Sequence, residues 1–513
     1  MSSEQVRDAV VIGAGLGGLV SGAKLAQAGK QVLVLEQHSI PGGCATTFER
    51  QDFEFDVSLH EIDGFDEHDI KREIFADLGV LDRLSFEPIA DFYRYRRGNQ
   101  DIAIPHGRED ACERLASEFP EDAEGIRTFY DVILDLRESL LGFASAGEPS
   151  VTSKLLFALQ NRTFLRHRNE TLGSFLDDVL DGDAPKRVLT ANLGYYHDDP
   201  YSLSLPFFAV AQGGYIANGG YYIKGGSQRL ADCLVSLIEE AGGRAETDRR
   251  VTDIRVDDGQ ATGVRHEHSR SGTTTLTGQD VQTNNADTVV ANAAVPLVAE
   301  NLLPAPHGNQ LGAQFDDWKV APSLTTLYLG FDTPPQNLGC EQYSTVIQHP
   351  SVDTLADVAS VQRVSYGRRT LTFVDYSQID AELTEDGQSV GAVSTIDYLD
   401  EWTGLKDAEY REKKALVKTV LRRRLVDQYP QLDDAIAHAE LATPKTIQRY
   451  TMNPSGTAYG FAQTPSQSLF DRRVEPPISN LRFASAWTFP GGGFTGAIIS
   501  GHLTAESILS EFT

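Results

Sequence analysis

The sequence predicts an α/β fold in which a Rossmann-like domain is interleaved with an α+β region, and three observations predict it. Residues 8–13, Asp-Ala-Val-Val-Ile-Gly, form a short β-branched run that stops at a glycine, as a buried parallel strand does on entering a tight turn. Gly13, Gly15 and Gly18 then follow in the spacing G-x-G-x-x-G and open a helical segment, and a second strand, Gln31 to Leu35, ends in the acid Glu36. A length of 513 residues exceeds what one hydrophobic core supports, so two lobes are expected.

Each glycine has a task. Gly13 permits the turn, Gly15 lets backbone N–H groups approach a pyrophosphate, and Gly18 and Gly22 let the helix lie close to the sheet with its positive end at the phosphates. Leu16 heads that helix, Leu25 and Ala26 continue its buried face, and Gly29 ends it. Glu36 stands where a carboxylate accepts hydrogen bonds from both adenosine ribose hydroxyls, and its charge would repel the 2′-phosphate of NADP. In this order of strand, turn, helix, strand and acid, the glycines read as a dinucleotide site rather than a structural βαβ unit. The next segment, Gln37 to Thr47, contains Pro41-Gly42-Gly43 and Thr46 in an E-x₅-GG-x₃-T extension. It resembles the FAD signature of glutathione-reductase-type flavoproteins, whose loop doubles back under the flavin end of the cofactor. The implied cofactor is FAD.

Composition removes several classes. With 73 acidic and 45 basic residues the formal charge is -28, which repels nucleic-acid phosphates and gives no general affinity for anionic lipid. The acid surplus is spread along the chain and reads as a solvated surface. Cys44, Cys112, Cys233 and Cys340 lie far apart with no CxxC pair, so thiols are expected rather than a disulfide framework or a zinc ribbon. No apolar run is long enough to cross a bilayer. The polar start leaves no room for a signal peptide, so a cytosolic location is expected. The stretch 154–168 is the one basic, hydrophobic island; it reads either as a buried helix with a solvated basic face or as a peripheral membrane contact. His266 and His268 read as an exposed strand pair, and no metal site is expected.

Four segments resemble the phytoene desaturase, carotenoid isomerase and retinol saturase group of flavoproteins. They are the βαβ unit with its Pro-Gly-Gly loop, Phe53 to His60 (F-x-F-D-x-G-x-H, with Ser58 at the glycine), Gly219 to Ser227 (G-x-x-Y-x-x-G-G), and Phe483 to Gly493 (W-T-x-P-G-G-G). The resemblance implies a fold of the glutathione-reductase and amine-oxidase type. It also implies that Val251 presents backbone groups to the adenine, that Asn292 lies near the cofactor, and that His60 lies near the flavin, to position a substrate or move a proton. His60 and Trp487 are the catalytic candidates. Many proteins of this fold carry Gly-Asp before the last helix, whereas Ala486 and Trp487 stand here. Independently of any family, Gly491 to Gly493 clear space for a flat ring, and Phe494 to Ile508 reads as a helix whose first residues, Gly493, Phe494 and Thr495, face it.

The expected FAD-binding domain is discontinuous, comprising 1–75, 215–300 and 440–513, and 76–214 with 301–439 would build the substrate domain. A helix is expected from Gln228 to Ala241, and a hairpin at Asp257-Asp258-Gly259. The aromatic cluster Tyr195, Tyr196, Tyr201, Phe207, Phe208, Tyr215, Tyr221 and Tyr222 reads either as the wall of a tunnel for a long apolar chain or as packed core. No second G-x-G-x-x-G unit follows a strand, so electrons would pass to or from a quinone, oxygen or another external partner. The resemblance implies hydride transfer at flavin N5 to or from a carotenoid or retinoid, as a desaturase, saturase or cis-trans isomerase. Two alternatives share the domain plan: a non-covalent FAD amine oxidase and a non-catalytic lipid-binding protein.

Overall fold

The computed structural model of the chain describes residues 6–65, 69–144, 161–269, 276, 278, 280–385, 387–468 and 474–511. Strand β1 (Arg7–Ile12) pairs in parallel with β2 (Val32–Leu35), Ala9 opposite Val32 and Ile12 opposite Leu35, and helix α1 (Leu16–Gln27) makes the crossover between them. Val10 and Val11 are fully buried, as a β-branched strand covered on both faces requires. The sheet continues in parallel with Arg244–Glu246 beside β2 and Gln282–Ala291 beside β1, and Leu481–Phe483 lies along the far side of Gln282–Ala291. The first half of Gln282–Ala291 also pairs antiparallel with Gln260–His268, which pairs with Arg249–Asp257. These two strands join through Asp258 (φ 46°) and Gly259 (φ 77°), the left-handed pair that a two-residue hairpin needs.

Helix α1 is packed closely by two others. Gly22 leaves room for Val34 of the sheet and Ile238 of the helix Ser227–Glu240, each 3.2 Å from where a Cβ would stand. Gly501 of the last helix (Gly493–Ser510) abuts the Gly17 carbonyl and Val20, so a side chain there would force the helices apart. Both helices fall within about two residues of the sequence expectation.

A second seven-stranded sheet runs Ile436–Ala442, Ser323–Phe331, Ser389–Asp397, Leu371–Asp375, Ser344–Ile347, Asp91–Arg97, Gln100–Pro105. It is antiparallel except where Ser344–Ile347 meets Asp91–Arg97. Its alternation sorts side chains by face. Leu327, Leu329 and Phe373 pack under the helix Asp407–Gln428 with Val417, Leu421 and Leu425, whereas Leu324, Thr326, Tyr328 and Thr372 face an internal cavity. Two long helices, Ala123–Ala144 and Leu205–Asn218, pack together over the far side of that cavity. The strand Ile436–Ala442 runs across the boundary expected at 440.

One expectation changes, and another lies partly outside the described residues. His266 is fully buried, its Nε2 2.6 Å from the amide oxygen of Asn284 on the neighbouring strand Gln282–Ala291; only His268 of the pair is exposed. Of the basic stretch 154–168, residues 154–160 lie outside the described residues, and Arg162–His167 forms a short helix with Leu165 exposed and His167 buried. No described helix is long and apolar enough to cross a membrane. All four cysteines are free thiols.

Candidate functional site

One cavity of about 1710 Å³ lies between the parallel sheet and the second sheet. Drug-sized sites occupy roughly 300–1,000 Å³, so there is room here for a dinucleotide and a second molecule together. It is lined by Gly13, Gly15, Leu16, Glu36, Gln37, Gly42, Gly43, Thr46, His60, Val251, Asn292, Trp487, Gly493, Phe494 and Thr495. All fifteen are among the site residues that the sequence singles out. Gly18 does not reach the wall: a Cβ there would overlap the Gly13 carbonyl, so its glycine serves the packing of α1 against the turn.

The cofactor end is shaped by missing side chains and unpaired backbone. Gly13 has φ +92°, and a Cβ on it would stand 2.6 Å from the Asn292 carbonyl oxygen. At Gly15 a Cβ would stand 2.5 Å from Asn292 Oδ1. Asn292 in turn donates its amide to the Ala484 carbonyl, fastening the glycine turn to the segment before the last helix. Gly42 N–H donates to the Ala14 carbonyl at 2.7 Å, so the Pro-Gly-Gly loop folds back onto the first turn. No side chain caps α1 at Gly15 or the last helix at Gly492. Two sets of first-turn N–H groups, each at the positive end of a helix, therefore meet one cavity, which is what a pyrophosphate and an anionic ring require.

Glu36 Oε2 accepts from Ala14 N–H (2.8 Å) and Oε1 from His38 N–H (2.9 Å). Burial pushes its carboxyl above the usual range, against the pull of those donors. Each oxygen keeps a lone pair for a ribose hydroxyl. The cavity's size, the side-chain-free cradle and the uncapped helix starts all fit FAD, which supplies hydride exchange at N5.

The segment after the loop is held from both sides. Asp56 accepts from Ser58 N–H, Leu59 N–H and Ser227 N–H (3.1, 2.8 and 2.7 Å) and from the Ser227 and Tyr222 hydroxyls. Burial raises its carboxyl to about 6. Four tyrosines from distant elements donate to four of the five carbonyls of residues 57–61: Tyr328 to Val57 (2.7 Å), Tyr376 to Leu59 (2.7 Å), Tyr343 to His60, and Tyr215 to Glu61 (3.1 Å). His60 Nδ1 then shares a 2.7 Å hydrogen bond with the Tyr195 hydroxyl, and burial lowers its pKa to about 4, so the ring is neutral at pH 7. A neutral imidazole can orient a substrate or pass a proton, but it brings no charge to the site.

Trp487 donates its indole N–H to Asn453 (3.3 Å) and meets Phe461 edge-on at 5.0 Å. It is a wall, with no free polar atom for acid or base work. Thr495 donates to Asp63 Oδ1 (2.6 Å), and Asp63 Oδ2 lies 3.2 Å from Lys71 Nζ, which also pairs with Asp69 at 2.9 Å. This ion triad is buried against the start of the last helix. The aromatic cluster divides: Tyr195, Tyr196, Phe207 and Tyr215 line the cavity, Phe208 and Tyr222 are core, Tyr221 packs on Phe65, and Tyr201 is exposed.

Sequence reasoning did not single out Asp63, Lys71 or Glu61. Glu61 is the neighbour of His60, and an acid beside that histidine, between the apolar Leu59 and Ile62, was the available signal. Among the described residues no group of three or more metal-ligating side chains occurs.

The fold, the glycine cradle and the paired helix starts define an FAD-dependent oxidoreductase. The sequence profile described as flavin containing amine oxidoreductase matches residues 16–509, and the chain belongs to that family. It is 27% identical over 533 residues to the all-trans-retinol 13,14-reductase of Danio rerio, covering 98% of this chain and 86% of the relative. It is 26% identical over 527 residues to the chloroplastic prolycopene isomerase of Daucus carota, covering 98% and 80%. Among solved structures, cyclohexylamine oxidase from Brevibacterium oxydans shares the fold with a TM-score of 0.62 at 15% identity, covering 99% of this chain and 100% of that one.

Proposed function

We propose that the protein adds, removes or shifts hydrogen along the conjugated chain of an apolar polyene, a retinoid or carotenoid, with FAD as the hydride carrier. The observation that carries this reading is the second half of the cavity. Beyond the cofactor end its wall is Leu193, Tyr195, Tyr196, Phe207, Val210 and Tyr215, facing the threonines and leucine of the second sheet. A long apolar chain is bound by such burial and stacking, with few polar anchors. The whole-length similarity to a retinol reductase and a prolycopene isomerase supports the same substrate class.

On this reading the FAD-binding part comprises 1–75, 215–300 and 440–513, with the helix Leu205–Asn218 and the strand Ile436–Ala442 passing from one part to the other. Gly13, Gly15, Leu16, Glu36, Gln37, Gly42, Gly43, Thr46, Val251, Asn292, Gly493, Phe494 and Thr495 contact the cofactor, with Gly18 supporting them. Residues 76–214 and 301–439 form the substrate part. Electrons are exchanged with a quinone or another external partner. Four free thiols support a reducing, cytoplasmic location, and the basic, apolar composition of 154–168 supports a peripheral membrane contact where such substrates dissolve.

The test is anaerobic incubation of the FAD-loaded protein with all-trans-retinol and a panel of carotenoids, in the oxidised and the pre-reduced state, followed by product mass and retention. Gain of two hydrogens identifies a saturase, loss a desaturase, and unchanged mass with altered retention an isomerase. Recovery of every polyene unchanged, with bleaching of the flavin by primary amines, would replace the reading with an amine oxidase.

A further inference from the structure

Glu61 sits in the chain between a residue tied to the substrate wall and one tied to the cofactor side. His60, before it, is bonded to Tyr195; Asp63, two residues after, is bonded to Thr495 at the start of the last helix. Glu61 itself lines the cavity, yet its Oε2 is sealed and has no hydrogen-bond partner among the described residues. Its backbone is immobilised by the Tyr215 hydroxyl on its carbonyl and the neighbouring Tyr343 hydroxyl on that of His60. Gly220 makes room for the carboxyl: a Cβ there would stand 2.6 Å from Glu61 Oε2 and 3.6 Å from His106 Cε1, so the acid and this buried imidazole flank one α-carbon.

A carboxylate in this position would face no donor that stabilises its charge. The titratable groups around it are Asp63, which repels it, the phenols Tyr195, Tyr196, Tyr215 and Tyr343, which burial holds protonated, and the neutral His60 and His106. Lys71 and its charge are directed to Asp63 and Asp69. A buried acid with no compensating cation keeps its proton. No other carboxyl of the cavity wall has this combination: Glu36 accepts two backbone bonds, Asp63 and Asp69 are paired with Lys71, and Glu440 with Arg50.

We infer that Glu61 is the acid of the reaction, giving its carboxyl proton to a carbon of the bound polyene. The inference rests on the polyene reading above. In hydrogen addition, Glu61 loses its proton to one carbon of the double bond while a hydride from reduced FAD closes the second C–H bond. The double bond is reduced by two electrons and FAD is oxidised by two. Glu61, left as carboxylate, recovers its proton from solvent, with the His106 imidazole beside the same Gly220. The two electrons are resupplied by an external two-electron reductant, dithionite in the assay.

The test uses the FAD-loaded protein and two variants. Glu61→Gln keeps the shape and removes the proton, and Gly220→Ala keeps the acid and displaces it. The flavin absorption spectrum of the wild type is expected to report a titration at about pH 8, absent in Glu61→Gln. With dithionite-reduced protein and retinol in D2O, the wild type places solvent deuterium on both carbons of the reduced bond, since dithionite brings electrons alone and the acid and flavin N5 both take their hydrogen from solvent, and Glu61→Gln lowers that turnover by about 100-fold or more at unchanged FAD content. Gly220→Ala lowers it as well. A wild-type spectrum flat across this range, or a Glu61→Gln turnover within about threefold of wild type, overturns the assignment of Glu61. Wild-type protein that titrates but converts no polyene overturns the polyene reading instead, so the two failures are told apart.

Discussion

Glu61 makes a prediction about stability that is independent of catalysis. Burial, with Asp63 adding repulsion, raises its carboxyl from the ordinary 4.5 to about 8. Between those values the folded chain holds a proton that the unfolded chain has released. Stability linked to Glu61 is therefore fully present below about pH 4.5 and falls as pH rises to about 8. The slope is about 1.4 kcal/mol per pH unit, which sums to roughly 5 kcal/mol by pH 8 as a ceiling. Water entering the cavity screens part of this, leaving about 2 to 5 kcal/mol. Glu61→Gln removes the titration and keeps the volume. Thermal unfolding of variant and wild type in parallel, from pH 5 to pH 8.5, should give nearly equal midpoints in acid and a variant several degrees more stable in alkali. A difference that stays constant with pH, or a variant that loses stability as pH rises, would refute the reasoning.

Three further outcomes are expected. Lys71→Met leaves Asp63 and Asp69 buried without their cation and should cost about 3–5 kcal/mol in denaturant unfolding, with a smaller loss for the double change of Lys71→Met and Asp69→Asn. Gly18→Ala would drive a methyl group into the Gly13 carbonyl, so the purified variant should carry a much lower ratio of flavin to protein absorbance while keeping its far-UV circular dichroism. Tyr343→Phe strips the His60 carbonyl of its donor and should destabilise by about 1–3 kcal/mol in the same unfolding assay; a cost near zero would mean that the tyrosines on this segment act only by packing.

The amino-terminal unit was legible because its determinants are local. The glycine at 13 is needed by a turn with positive φ, those at 15 and 18 by atoms within the same βαβ unit or one strand away, and all three lie within a helical turn or so of each other. The last helix was legible for the same reason. The aromatic cluster shows where this stops. Tyr195, Tyr196, Phe207 and Tyr215 face the cavity while Phe208 and Tyr222 do not, and that sorting depends on which element covers each side chain. Trp487 shows another limit: a sequence motif draws attention to the indole, and only the structure shows its N–H donated to Asn453. Glu61 and the ladder of tyrosine hydroxyls were illegible because residues 57–61 are held by side chains from positions 215, 328, 343 and 376. The buried His266 belongs to the same class, since the strand neighbouring it was placed only by its pairing.

The electrostatics of the cavity run against those of the chain. A protein with a formal charge of -28 encloses a substrate wall whose titratable groups are mostly neutral at pH 7. His60 has lost its proton, the tyrosines keep theirs, and Glu61 is held as the acid. The charges of Lys71, Asp63 and Asp69 are spent on one another. Positive potential at the cofactor end comes from the uncapped starts of α1 and the last helix, where dipoles are fixed in place by the fold, and from the basic side chains Arg249, Arg250, Lys445 and Arg449 on the cavity lining. For a hydrocarbon substrate this division is the workable one. A free ion in the wall would have to be desolvated each time the chain entered, at a cost that apolar burial would have to offset, whereas a neutral acid becomes charged only when its proton has moved to carbon. The acidic surface and the neutral interior are thus separate solutions to separate problems, and the segment from Asp56 to Asp63, pinned by six tyrosine hydroxyls including Tyr222 on Asp56 and Tyr195 on His60, is where the fold keeps them apart.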